Sequence, residues 1–382
     1  MTRSEIIKSK VILAIRQVTR RLFGISFWAF HVLILGLSVL QNGLWYSPQT
    51  VLFWLASKDI FRNPFLGQAD NEWALSSFLG PALAYFTSTN RSILSYSLLH
   101  LVVFVVGFTA LTLVIRHQYG DFVARASLIV FFLSPLSNVL FTWLGSPDTL
   151  TTLLSMAIVV SWNNSWALPI CGFLLGVNHP EQGSIILLLL TLFSLLTRTR
   201  RETIQFALTG MGALLVGALA LQWYFFIHHF EVLYTRVEYI LLEGPFPYVK
   251  ATFSQPFALV FSLYNVLLLF IIGYLAYYSR NRKIARAFVV YSVLAFMVML
   301  VTLDQTRVFA ILTYPAVLLL VLSPSFQHLE PADREFFEIL LGISFLIGIL
   351  IPRFTVFNGN VFFSAYPDII GFLHNPDGPL LP

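Results

Sequence analysis

The stretch DTLTTLLSMAIVVSWNNSWALPICGFLLGVN, residues 148–178, decides how this chain is laid out. It reads as one long apolar helix interrupted by Trp162-Asn163-Asn164-Ser165. It also reads as two short helices, 149–161 and 166–178, joined by that polar turn. A helix that crosses a bilayer needs roughly 20 apolar residues, fewer where it packs inside protein. Three basic clusters make the choice: residues 1–21, Arg198-Thr199-Arg200-Arg201, and RNRKIAR at 280–286. Such clusters stay on the cytoplasmic side of a membrane. Two helices in 148–178 put all three clusters on one side, whereas a single helix moves the 198–201 cluster to the other. The two-helix reading is kept, with both helices at half depth or buried.

The composition leads the same way. Of 382 residues, 57% are hydrophobic and only 11% are charged, against about 25% charged in a soluble domain. Mean hydropathy is +0.79. Apolar runs at 22–42, 93–115, 122–141, 149–161, 166–178, 184–197, 204–227, 256–278, 286–303, 307–322 and 337–351 predict an all-α, polytopic transmembrane helical bundle of about 11 spans. The bundle is expected over 22–351, preceded by a basic amphipathic segment at 1–21 and followed by an extracytoplasmic, Pro/Gly-rich tail at 352–382. The segment 1–21 reads as a cytoplasmic helix on anionic lipid or as a solvated tail. It carries no signal-peptide cleavage pattern. The single Cys171 makes no disulfide framework.

With this topology the basic excess falls inside and the acidic excess outside, although the acids were not used to derive it. The net charge of +5 and the pI of about 9.3 then reflect topology. No basic-aromatic groove suggests nucleic acid, and none is expected as a partner.

The polar residues gather on the extracytoplasmic side. The first outer loop, 43–92, carries Lys58, Asp59, Arg62, Asp70, Glu72 and Arg91. Within it SPQTVLFWLASKDIF and ALSSFLGPALAYF read as interfacial helices, the second broken near Gly80-Pro81. Asp70 and Glu72, in GQADNEW, are expected at the membrane edge, where solvent makes their charge inexpensive. The turn TWLGSPDTL places Asp148 in a first helical turn, either as a capping acid or as a site residue. GVNHPEQG holds Asn178, His179, Glu181 and Gln182, and a turn needs neither a His nor a Glu. In TLDQTRVF, Asp304 and Arg307 are spaced to pair with each other, and Arg is well suited to gripping phosphate. A second large outer loop, 228–255, adds Arg236. Ionisable groups converging near one membrane face are candidates for a polar, functional cavity.

Several chemistries are absent. The chain has no Walker A loop, HExxH, GxSxG or paired CxxC, and no Arg series of a voltage sensor. A carboxylate base and a phosphate-gripping Arg suit glycosyl transfer from a lipid-phosphate sugar. The base takes the acceptor proton and the cation stabilises the leaving phosphate.

The many spans, the long first outer loop with interfacial helices, and ADNEW within it resemble the GT-C superfamily of integral-membrane glycosyltransferases. GSPD, NHPEQG and DQTR add weaker likenesses. The resemblance implies a polyprenyl-phosphate-linked sugar donor, a glycan or lipid-linked acceptor, and an extracytoplasmic active site among membrane lipids. It maps the catalytic base to Asp70, with Glu72 or Asp59 as second choices. Arg307 is the donor-phosphate candidate, followed by His179 and Arg236, with Asp304 orienting Arg307 and with Asp148 and Glu181 in support. Asp70-Asn71-Glu72 only approximates the family's Asp-x-Asp pattern, so no cofactor is assigned. A divalent cation, Mg or Mn, is the candidate, with its ligands unknown. A bacterial inner membrane is the expected location, with the N-terminus cytoplasmic. Three other readings stay open: a transporter or flippase for a lipid-linked glycan, a glycan polymerase or ligase, and a non-catalytic assembly subunit.

Overall fold

The computed structural model describes residues 13, 16–47, 49–66, 68–162, 166–230, 244, 249–250, 252–277, 282–302, 304–357 and 359–364; at 69, 70, 282 and 362–364 it describes the backbone alone. The fold is helical, with one two-stranded hairpin at its C-terminal end. Residues 148–178 form two helices, Asp148–Val160 and Ala167–Asn178, on either side of the polar turn.

The helices sort by where their apolar residues point. Asp121–Leu133 and Gln305–Val321 are buried almost all round, as helices without a polar face must be. They form the centre of the bundle with Pro135–Thr142 and Asp148–Val160. The longest helices, Ile93–Tyr119 and Arg200–Ile227, instead turn Val102, Val106, Leu208, Leu215 and Trp223 outward. Contiguous apolar surface of this kind needs something other than water against it, and several long apolar helices fit an integral membrane protein.

The all-α class stands, while the described residues do not confirm about eleven spans. Among the described residues, three helices are long and apolar enough to cross: Ile93–Tyr119, Pro180–Thr197 and Arg200–Ile227. The number rises to six if each bent pair is one span. The expected spans 149–161, 166–178 and 307–322 are helices of 10–17 residues. Apolar runs wrapped in protein give the same sequence signal as runs wrapped in lipid.

The bends have local causes. Asp121–Leu133 meets Pro135–Thr142 at 68°. Ser134 is extended at the break and Pro135 starts the next helix, where its missing N–H costs nothing. The break leaves carbonyls at the end of the first helix without helical partners. Arg353 fills that gap: its guanidinium donates to the Leu133 carbonyl at 2.9 Å and to the Phe132 carbonyl, while Gln41 Oε1 accepts from Nε at 3.1 Å. Burial pushes the Arg353 pKa down to about 9, so the side chain stays cationic at neutral pH. A cation at a helix C-terminus also complements the helix dipole.

Helices Ala167–Asn178 and Arg200–Ile227 cross at glycines. A Cβ on Gly172 would meet the Gly210 carbonyl at 2.8 Å, and one on Gly176 would overlap the Leu214 carbonyl. A Cβ on Gly217 would overlap the Phe173 carbonyl. Small residues let helix backbones approach this closely, as in the G-x-x-x-G pattern of membrane helices, here GFLLG at 172–176.

The segment 43–92, expected as the first outer loop, holds the helices Thr50–Lys58 and Leu79–Phe86, joined through Ala69–Glu72 and a 3₁₀ turn at Trp73–Ser76. Gly80-Pro81 opens the second helix rather than breaking it. The tail is not all coil. Strands Arg353–Phe357 and Asn360–Ser364 pair antiparallel around Gly359, whose φ is +73°. The rest of the tail and most of the loop 228–255 lie outside the described residues.

Candidate functional site

The Asp148–Val160 helix begins at Pro147, which puts Asp148 in its first turn as the sequence suggests. Asp148 is buried, with 1% of its surface exposed. Arg307 reaches it from the start of the Gln305–Val321 helix: Nε lies 2.6 Å from Asp148 Oδ2, and Nη2 lies 3.4 Å from Oδ1. The same guanidinium donates through Nη1 to Asp304 Oδ2 at 2.6 Å. The expected Asp304–Arg307 pair is therefore real but is half of a triad. Ser146 donates to Asp148 Oδ2 at 3.0 Å, and Trp143 stacks under the guanidinium at 4.3 Å. A charge taken out of water needs this density of partners.

The triad carries two carboxylates on one cation, so its formal charge is −1. Asp304 is the more exposed acid, at 15% of its side chain against 2% for Asp148. Asp148 holds the guanidinium plane against Trp143.

Neighbouring segments close around the triad. Asn178 Nδ2 donates to the Pro147 carbonyl and to Thr151 Oγ1, each at 3.0 Å, tying the third outer turn to the second. His179 turns to its own helix start instead: its Nδ1 lies 3.2 Å from Glu181 Oε2 and 3.5 Å from the Gln182 N–H. The first outer loop is bound to the same end, through Thr50 Oγ1 to the Leu144 carbonyl at 2.9 Å and the Phe78 N–H to the Val177 carbonyl at 3.3 Å. Gln305 Nε2 donates to Thr252 Oγ1 at 3.1 Å. The Val356 N–H of the hairpin donates to Thr306 Oγ1 at 2.9 Å. The segments expected as outer turns thus meet at one end of the bundle.

Described residues of two basic clusters, Arg16 and Arg198, find their partners elsewhere. Arg16 lies 3.5 Å from Glu335, and Arg334 stands over the Phe122 ring. Asp121 next to Phe122 pairs with Arg116 and Arg125. Tyr119 donates to the Val160 carbonyl, and Arg198 to the Trp162 carbonyl.

Glu72 departs from expectation. Only 2% of it is exposed, because the 3₁₀ turn after it folds Ala74 and Leu75 into a small core with Phe53 and Tyr96. The side chain therefore sits in protein and not at a solvated membrane edge. The backbone of Asp70 lies in the Ala69–Glu72 helix, and its side chain is outside the described residues, as is all of Arg236. Asp59 stays near the surface, accepting from the Phe61 N–H at 3.0 Å and lying 3.5 Å from Arg62. Among the described residues, no three His, Cys, Asp or Glu side chains gather as a metal site. Trp143 had no role in sequence; the signal for it was its place five residues before Asp148.

The chain matches no family model, no curated protein and no solved structure.

Proposed function

We propose that this protein is a membrane glycosyltransferase of GT-C type, moving a sugar from a polyprenyl-phosphate donor to an acceptor hydroxyl on the extracytoplasmic side. One observation carries the reading: Arg307 held between Asp148 and Asp304 at the end of the bundle to which the Asp70-bearing loop is bound. An apolar bundle with its polar machinery at one end suits a substrate whose tail is lipid and whose reacting phosphate is at the interface.

In this mechanism the Asp70 carboxylate takes the proton of the acceptor hydroxyl as the new C–O bond forms at the sugar's anomeric carbon. The bond from that carbon to the donor phosphate oxygen breaks, and polyprenyl phosphate leaves with the electron pair. Arg307 exchanges Asp304 for a phosphate oxygen and stabilises the departing charge. Asp148 keeps the guanidinium in position.

Transfer from a panel of polyprenyl-phosphate sugars by the reconstituted protein is the test. Asp70→Asn is expected to lower kcat by about 10²–10⁴-fold, and Arg307→Gln by about 10²–10³-fold. Full activity in Asp70→Asn removes Asp70 as the base. Absence of transfer from every donor overturns the reading.

A further inference from the structure

A cavity of about 610 Å³ opens at the other end of the bundle, between the ends of five helices and away from the Asp148–Arg307 triad. Its size is that of a small-ligand site. One wall is apolar, from Leu168, Leu196 and Phe206, and Arg198 and Lys283 supply positive charge. Arg198 is fixed in place: its guanidinium lies 4.3 Å over the Trp162 ring and donates to the Trp162 carbonyl at 2.7 Å. The acid in the lining, Glu202, is committed to its own helix start, accepting from the Thr199 N–H at 3.0 Å and from Thr199 Oγ1 at 2.7 Å. Among the described residues, the lining therefore carries two cations against one carboxylate that already has two hydrogen bonds.

We propose that this cavity binds the phosphate headgroup of an anionic membrane lipid, with the glycerol against the apolar wall and the acyl chains along the neighbouring helix surface. That surface is apolar: Leu195, Ile204 and Leu208 are exposed beside it, and Leu196 both lines the cavity and faces outward. Free phosphate would use the cations and leave the apolar wall empty, whereas a phospholipid uses both. Trp162 at the mouth is the residue type that settles at headgroup depth. Basic pockets between membrane helices recognise anionic headgroups by this combination of charge and groove. A guanidinium already held by a ring and a carbonyl loses little freedom on binding. The proposal does not depend on the glycosyltransferase reading.

The test is native mass spectrometry of the full-length, delipidated protein titrated with phosphatidylglycerol, phosphatidylcholine or inorganic phosphate. One phosphatidylglycerol is expected to be retained at concentrations where phosphatidylcholine is not. Lys283→Gln and Arg198→Gln should each weaken retention about fivefold, the effect of one cation near an anionic headgroup. Arg62→Gln, on the first outer loop, should leave it unchanged. Lys283 is exposed, so its variant carries the test if Arg198→Gln fails to fold. Equal retention by wild type and Lys283→Gln overturns the proposal. So does displacement of the lipid by millimolar phosphate, which would make the cavity a site for a free anion.

Discussion

Arg307 is held by partners that are far apart in the chain, with a sequence separation of 159 to Asp148 and of 3 to Asp304. Removing one member of a buried ion pair leaves the other uncompensated, at a cost of about 3–5 kcal/mol. Arg307→Gln should therefore lower stability in detergent by about that amount, because Asp148 is left buried and charged. Asp148→Asn in the same chain should restore much of the loss. A double-mutant cycle on unfolding midpoints reads this coupling, and additive losses would show that the two side chains do not depend on each other. The pairing of Arg307 with Asp304 was legible from their spacing at a helix start. The pairing with Asp148 was not, since nothing local to either residue names the other. Glu72 was misread for the same reason: a loop in sequence became part of a packed cluster.

At the scale of elements, the helices Ala167–Asn178 and Arg200–Ile227 depend on Gly172, Gly176 and Gly217 for their approach. At Gly176 and Gly217 an added Cβ meets backbone, which cannot rotate aside as a side chain can. Gly176→Val should force the pair apart and cost about 1–3 kcal/mol, the usual range for overpacking. Gly212, whose added Cβ meets nothing within 4 Å, is the control. Unchanged thermal stability in Gly176→Val would mean that the helices are not this close. The spacing of GFLLG was visible in sequence, but its partner face on a helix more than 30 residues on was not. The hairpin was missed: the Asn358-Gly359 turn signal after TVF reads as part of a Pro/Gly-rich tail.

At the scale of the whole molecule, the topology proposed from the basic clusters puts the break within 148–178 on the side of the N-terminus. Trp166 is 65% exposed beside that turn, and Ser88 lies in the first outer loop. In a Cys171→Ala background, which removes the single cysteine, Trp166→Cys should react with a membrane-impermeant maleimide from the side of the N-terminus. Ser88→Cys should react from the other side. Labelling of both from one side would overturn the two-helix topology.

Taken alone, the amino-acid sequence determined the all-helical class and the break within 148–178, and its apolar runs gave the long apolar helices that fit an integral membrane protein. These follow from local pattern, because an apolar run, a proline or a charged turn acts on the backbone within a few residues. Tertiary structure decided how many helices are long enough to cross, which acids are buried, and that Arg307, Asp148 and Trp143 share one place. A buried charge is tolerated only where packing brings it partners, and no periodicity within one segment encodes the partner supplied by another.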